Sequence, residues 1–287
     1  MIRRARHGRA GALLALLVGA AMLSTPARAQ TLNFGAGDSD QPIEVFADNG
    51  IEWQQENLLF IARGNARAVR GAVTVHGDEL RAYYREKAGG GNEIHRLDVI
   101  GHVRIVSETQ EGTGEQAVYD VDNAVMVLSG GKPTFVSGND TIVADRQIEY
   151  WEGKQMAVAR GNAVATREDR TVRGETLAAY FRKGDDGKTT VFRVDAFDRV
   201  RIRTATETAT GDRGVYNVES GIATLTGSVK IDRDGSVLTG CRTEVNLNTN
   251  VSKLFACPQD RVRGVFQPQD AQKSGVKKQK QKQPAKS

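Results

Sequence analysis

Long hydrophobic runs are missing from this sequence after its first 29 residues, so no later segment has the roughly 20 apolar residues that a membrane-crossing helix needs. Aromatic residues are also few, at 6%, too sparse for a ladder of exposed rings that would grip a polysaccharide. Only three histidines lie beyond that point, His76, His95 and His102, and none stands in a metal-ligand spacing such as HExxH or beside a cysteine pair. There is no GxSxG elbow, and neither Cys241 nor Cys257 has a neighbouring histidine that would make it a nucleophile. The Gly89-Gly90-Gly91 triplet is not followed by a helix start, so it reads as a loop and not as a phosphate cradle. These absences leave no catalytic residue, no metal ligand and no cofactor to assign, and the chain reads as a non-enzyme.

Charge of one sign is missing from two segments. The opening residues carry Arg3, Arg4, Arg6, Arg9 and Arg28 and no acid, around an apolar run from Ala10 to Leu23 that ends in Ala27-Arg28-Ala29, the small-x-small form of a signal-peptidase site. Residues 1–29 therefore read as a cleaved export signal and 30–40 as an N-terminal segment. At the other end, six lysines fall between Lys273 and Lys286 without an acid, in a Lys/Gln-rich stretch whose composition predicts a disordered tail over 258–287. Removing those eleven cations from the 40 in the chain leaves 29 against 35 acids, so the body is acidic and has no basic domain face for nucleic acid.

What is present is a repeat. Shifting the sequence by 97 residues lays IARGNARA (Ile61 to Ala68) on VARGNAVA (Val158 to Ala165) and RLDVIGHVRI (Arg96 to Ile105) on RVDAFDRVRI (Arg193 to Ile202), with 32 identities in the 84 pairs from Ala47 to Gly130. This is an internal duplication, read as a first repeat over 41–138 and a second over 139–257. A smaller spacing runs through it, in which a glycine is followed 13 residues later by another: Gly64 and Gly77, Gly101 and Gly114, Gly161 and Gly174, Gly227 and Gly240. A fifth unit keeps Gly211 but has Asp198 in the first place. Such glycines predict tight turns. Between them apolar and polar residues alternate, Leu80 and Ala82 against Arg81 and Tyr83, Val103 and Ile105 against His102 and Arg104, Tyr119 and Val121 against Asp120 and Asp122. Period two without helical periodicity predicts an all-β chain of stacked short antiparallel strands, continuous from about Gln41 to Cys257.

The segment SDQPIEVFADNGIEW (Ser39 to Trp53), followed by LLFIARGNARAV (Leu58 to Val69) and GDELRAYY (Gly77 to Tyr84), resembles the start of the LptA/OstA family of lipopolysaccharide-transport proteins. The likeness covers about 39–257; a typical member would end near Gly161 and Asn162, and this chain adds most of a further repeat. The resemblance implies an open, V-shaped jelly roll, a β-taco, with an apolar groove that carries lipopolysaccharide acyl chains through the periplasm. It also implies strand pairing of the sheet edges with Lpt-type partners at the inner and outer membranes, and head-to-tail self-association. Two other readings stand beside it: an LptC-like or LptD-like component of the same pathway, and a β-solenoid scaffold that binds polysaccharide.

Carried over position by position, the groove is expected at Ile43 and Val45 on the opening strand and at Ile105, Tyr119 and Val121 centrally, with Leu80, Ala82 and Val103 on the same apolar parity. The repeat counterparts are Val200, Ile202, Tyr216 and Val218. Small inward residues, Ala66, Ala68, Ala82, Ala163, Ala165 and Ala179, leave room that acyl chains would fill, each buried methylene contributing about 0.8 kcal/mol. Alternation alone fits a closed, packed core equally well. Leu59, Ile61, Met156 and Val158 lie on strands apolar on both parities and have no assigned face. Finally, CRTEVNLNTNVSKLFAC from Cys241 to Cys257 has a polar turn at Asn248-Thr249-Asn250 between alternating arms. A hairpin symmetric about Thr249 places the two cysteines directly opposite and predicts a disulfide.

Overall fold

The computed structural model describes residues 42–183, 189–233, 235–246, 248, 249 and 251–266. Residues 1–29 and 30–40, read above as an export signal and an N-terminal segment, and most of the lysine-rich stretch lie outside them. The described chain is all strand, in one 18-stranded sheet paired antiparallel throughout. The first repeat holds β1 (Glu44–Phe46), β2 (Ile51–Gln54), β3 (Leu59–Arg70), β4 (Val73–Glu86), β5 (Asn92–Val106), β6 (Gln110–Asp120), β7 (Val125–Ser129) and β8 (Thr134–Ser137). The second holds β9 (Asp140–Val143), β10 (Gln147–Trp151), β11 (Met156–Arg167), β12 (Arg170–Lys183), β13 (Thr189–Arg203), β14 (Glu207–Asn217), β15 (Ile222–Arg233), β16 (Ser236–Asn246), β17 (Val251–Phe255) and β18 (Arg263–Val265). Because β1 and β2, β7 and β8, β9 and β10, and β17 and β18 each form one rung broken in two, the eighteen strands stack as fourteen rungs. β7 pairs with β10 and β8 with β9, so the repeats join through an ordinary ladder without a linker.

The paired glycines do not sit in turns. Each falls in the middle of a strand of 11 to 15 residues, where the register slips: at Arg63/Ala66, Ile100/Val103, Arg160/Ala163, Phe197/Val200 and Thr226/Val229. The first glycine of each pair and the residue after it both take positive φ, as at Gly64 (78°) and Asn65 (42°), or Gly101 (72°) and His102 (45°). Two left-handed residues in succession form a bulge that bends the strand, so each long strand is two short arms about a crease. Where Asp198 replaces glycine the bulge persists, with Asp198 at 59° and Arg199 at 54°. The second glycine serves close approach. A Cβ on Gly174 would stand 2.9 Å from the Phe197 carbonyl oxygen, and one on Gly240 would stand 2.7 Å from that of Phe255.

The crease is held at four places by a side-chain contact between one rung and the bulge of the next. Asn65 Nδ2 donates to Asp48 at 2.7 Å, and Asn162 Nδ2 does the same to Asp145 at 2.7 Å. His102 Nδ1 meets Asp78 at 2.9 Å, and Arg199 donates to Glu175 at 2.7 Å. The acids of these contacts on β4 and β12 come directly after the second glycine, Asp78 after Gly77 and Glu175 after Gly174. On β16 the residue in that place, after Gly240, is Cys241. Its partner Cys257 is the second residue beyond Phe255, between the two halves of the last rung, and the two are bonded with Cα atoms 4.9 Å apart. The disulfide is thus the final, covalent clasp of the crease. The ladder runs Arg242↔Phe255 to Asn246↔Val251, so the hairpin is centred between Asn248 and Thr249. The cysteines are therefore one position out of direct opposition, a correction to the symmetric hairpin.

Folded along the crease, the sheet brings its arms face to face. One inward row runs Ala62, Leu80, Val99, Ala117, Leu128, Ile148, Ala159, Leu177, Ala196 on the first arm. The second arm answers with Ala68, Val75, Ile105, Gly112, Phe135, Ile142, Ala165, Val172, Ile202. Each repeat builds its own core from them, one around Val103, Ile105 and Leu128, the other around Val200, Leu225 and Val229. Ile61 and Val158 occupy outward rows, and their burial comes from ion pairs spread over that face, Arg63 with Glu52 (2.6 Å) and Glu79 (3.1 Å), and Arg160 with Glu149 (2.5 Å). Beyond Cys257 the chain adds β18, which pairs Arg263–Val265 with Val237–Thr239. Residues 258–266, assigned to the tail from composition, thus include a strand that completes the last rung.

Two substitutions and one reduction test these contacts. Gly174→Ala places a methyl against a backbone carbonyl that cannot yield, and is expected to cost about 1–3 kcal/mol in chemical denaturation; Gly153→Ala, with nothing within 4 Å of its Cβ, should stay within about 0.5 kcal/mol of the parent. Reducing the Cys241–Cys257 bond, or replacing both residues with serine, should cost about 3 kcal/mol, the loop-closure value for a separation near 16. Free, alkylatable thiols in the protein before reduction would count against the bond.

Candidate functional site

Between the arms of the first repeat lies a cavity of about 920 Å³, large for a small-ligand pocket and lined mostly by aliphatic side chains. Its walls come from alternate residues of β1, β3, β4, β5 and β6, which the crease turns to face one another. Of the positions expected at the groove, Ile43, Val45, Leu80, Ala82, Ile105, Tyr119 and Val121 line it. Others at the same cavity had no assignment from sequence: Phe60, Val75, Leu97 and Met126 share its inward parity, and Leu97 pairs directly with Tyr119. The alternation of β4 and β5 carried the signal for Val75 and Leu97, whereas Phe60 and Met126 lie in runs apolar on both parities.

The remaining expected positions are placed differently. Val103 and Val200 sit at the crease, 2% and 1% exposed, and pack the cores without lining the cavity. Ile202 is part of the second core, Tyr216 is half-buried on the inward row opposite Val194 and Ala223, and Val218 stands 39% exposed. Ile105 lines the cavity and belongs to the first core at once, only 2% exposed, so it cannot be altered without disturbing both.

The polar end of the cavity is built from Arg70, at the end of β3, and Tyr119 on the facing arm. The Tyr119 hydroxyl donates to Glu152 at 3.3 Å. Burial first, then the charge and hydrogen bond of Glu152, hold the phenol far above its usual pKa, against the opposing pull of Arg70, so it stays a neutral donor. The second repeat repeats this pairing with a different partner. Arg167, the counterpart of Arg70, is hydrogen-bonded to Asp140 on its own arm, and its charge still meets Tyr216 across the fold. Asp140 stands where the first repeat has Ile43. A mostly apolar cavity with Arg70, Arg81, Tyr84 and Tyr119 among its lining can take an amphiphile, with chains against the aliphatic walls and a polar group against these side chains.

Comparison with known proteins places this architecture. An uncharacterized protein of Rhizobium meliloti (strain 1021) is 30% identical over 168 residues, which cover 56% of this chain and 87% of that protein. Among solved structures, LptH, the LptA homologous periplasmic component of the lipopolysaccharide transport device of Pseudomonas aeruginosa, matches with 18% identity and a TM-score of 0.39 over 45% of this chain and 95% of its own. The family model described as LptA/(LptD N-terminal domain) LPS transport protein matches twice, at residues 44–154 and 141–251. With those two copies spanning nearly the whole of its sheet, the chain belongs to the LptA/LptD N-terminal domain family of lipopolysaccharide-transport proteins.

Proposed function

We propose that this protein is a periplasmic carrier that takes lipopolysaccharide acyl chains into the first-repeat cavity and passes them along the inward rows toward the outer membrane. The observation that supports the reading most is the cavity itself: a packed sandwich would fill that space, and here Ala68, Ala82 and Ala117 leave it open. The lining is mostly aliphatic with a few polar groups, Arg70 and Tyr119 among them, which suits a ligand with chains and a charged head.

The two ends of the stack support assembly with similar sheets. At the first rung Phe46, Ile51 and Trp53 are exposed, and at the last Val251, Phe255 and Val265. Each edge offers unpaired backbone groups beside apolar side chains, which invites addition of another strand. Lpt-type partners of the same fold, or a second copy placed head to tail, would continue the groove across that join.

Ala68→Phe separates a cavity from a core. Filling an open cavity should leave the melting temperature unchanged or raised while lowering lipopolysaccharide binding by roughly tenfold or more; overpacking a closed core would instead cost about 1–3 kcal/mol. Val121→Asp, at the half-buried rim where the carboxylate can reach water, should likewise weaken binding more than folding. A photo-reactive group at Tyr119 should yield a lipopolysaccharide adduct, and its absence in cells that export the protein would remove the carrier reading.

A further inference from the structure

The second repeat carries cations that the fold leaves without partners. On the outer side of its second arm, Arg173, Arg201, Thr210, Lys230, Thr239 and Arg263 form one row, each the register partner of the next. They alternate with Val172, Ile202, Ala209, Ile231 and Leu238, which pack inward, so the row points to solvent and its four cations are exposed. At about 4.8 Å between rungs the row spans about 24 Å. Arg203, two residues along from Arg201, adds a fifth exposed cation. Among the described residues none of the five makes an ion pair, and the acid on this face is Asp232, opposite Thr208.

The first repeat shows that the fold does not demand this. There Arg104, the counterpart of Arg201, is bound by Glu111 at 2.7 Å. Shifted by 97 residues, Glu111 becomes Thr208, Val106 becomes Arg203 and His76 becomes Arg173. An acid has been lost from this face and two fixed cations gained, against one lost where Arg67 becomes Val164. Arg173 and Arg201 stand directly opposite one another, a like-charge pair that weakens a sheet.

The surroundings indicate the kind of surface that covers this face. Beside Arg263 the side chains of Val262, Val265 and Phe266 are exposed, Phe266 at 71%, and the sequence continues from there toward six lysines. Fixed cations in a row, with an aromatic and aliphatic groups at one end, match a lipid surface: phosphate oxygens for the guanidinium groups and the interfacial region for the ring. We propose that the outer face of the second repeat docks on an anionic phospholipid surface through Arg173, Arg201, Arg203, Lys230 and Arg263. The docking face lies outside the groove and does not depend on the groove's cargo.

Co-sedimentation of the exported chain with phosphatidylcholine vesicles, with and without phosphatidylglycerol, tests this. Binding is expected only to the anionic vesicles and should fade at high salt, since exposed charges are screened. The triple variant Arg173→Gln, Arg201→Gln, Lys230→Gln should lower partitioning by roughly tenfold or more with an unchanged melting temperature. Arg67→Gln with Arg104→Gln on the first repeat should have little effect, and glutamine at the six tail lysines should leave most of the binding. Unchanged partitioning of the triple variant would overturn the proposal, as would equal binding to neutral vesicles or loss confined to the tail variant. Binding to polyglutamate without binding to anionic vesicles would point to an acidic protein partner and overturn it too.

Discussion

The crease is the constraint on which the rest of this molecule depends. A flat sheet of fourteen rungs would present one apolar face to water along its whole length, with nothing to cover it. Two left-handed residues in the middle of every second long strand, set against a glycine on the neighbouring strand, turn that face onto itself. The bend is repeated rung after rung at the same column, because a single unbent strand would break the ladder on both sides. The clasps then fix the bend that the bulges allow, and each uses a residue that tolerates positive φ or a long side chain that spans the gap: Asn65, Asn162, His102 and Arg199.

Strand parity was legible in the sequence, since alternation, duplication and small inward residues all pointed to the same face. The crease was not, because a glycine with another 13 residues later reads the same whether the chain reverses there or only bends. The residues immediately C-terminal to the second glycines carry the distinguishing signal: Asp78, Glu115, Glu175 and Asp212 recur at one position, and Cys241 stands in that series. The facing of Ile61 and Val158 was hidden for a different reason. Both lie outward, under ion pairs that Arg63 and Arg160 make with acids on the adjoining strands, which the alternation within a single strand does not reveal. The site was legible as a set of positions, but Val103 and Val200, nearest the bend, are consumed by the core, while Val218, near the rim, reaches solvent.

Two copies of one domain have thus kept a backbone and diverged in chemistry. Ile43 corresponds to Asp140, Val106 to Arg203 and Glu111 to Thr208 across the 97-residue shift. The changes gather at the rim and on the outer face of the second arm, where the ladder of hydrogen bonds tolerates any residue that fits the pleat. Inward rows changed less in kind, because every substitution there must still fill the space between two arms.

The joint between the repeats, β7 on β10 and β8 on β9, has the form that two separate chains would need in order to stack. Here the two sides are tethered by a single backbone, and the effective concentration of one for the other is set by the short connection from β8 to β9 and not by how much protein is present. In any longer stack built by adding edges, every second seam would therefore be indifferent to dilution, and only half of the contacts would be open to exchange or regulation.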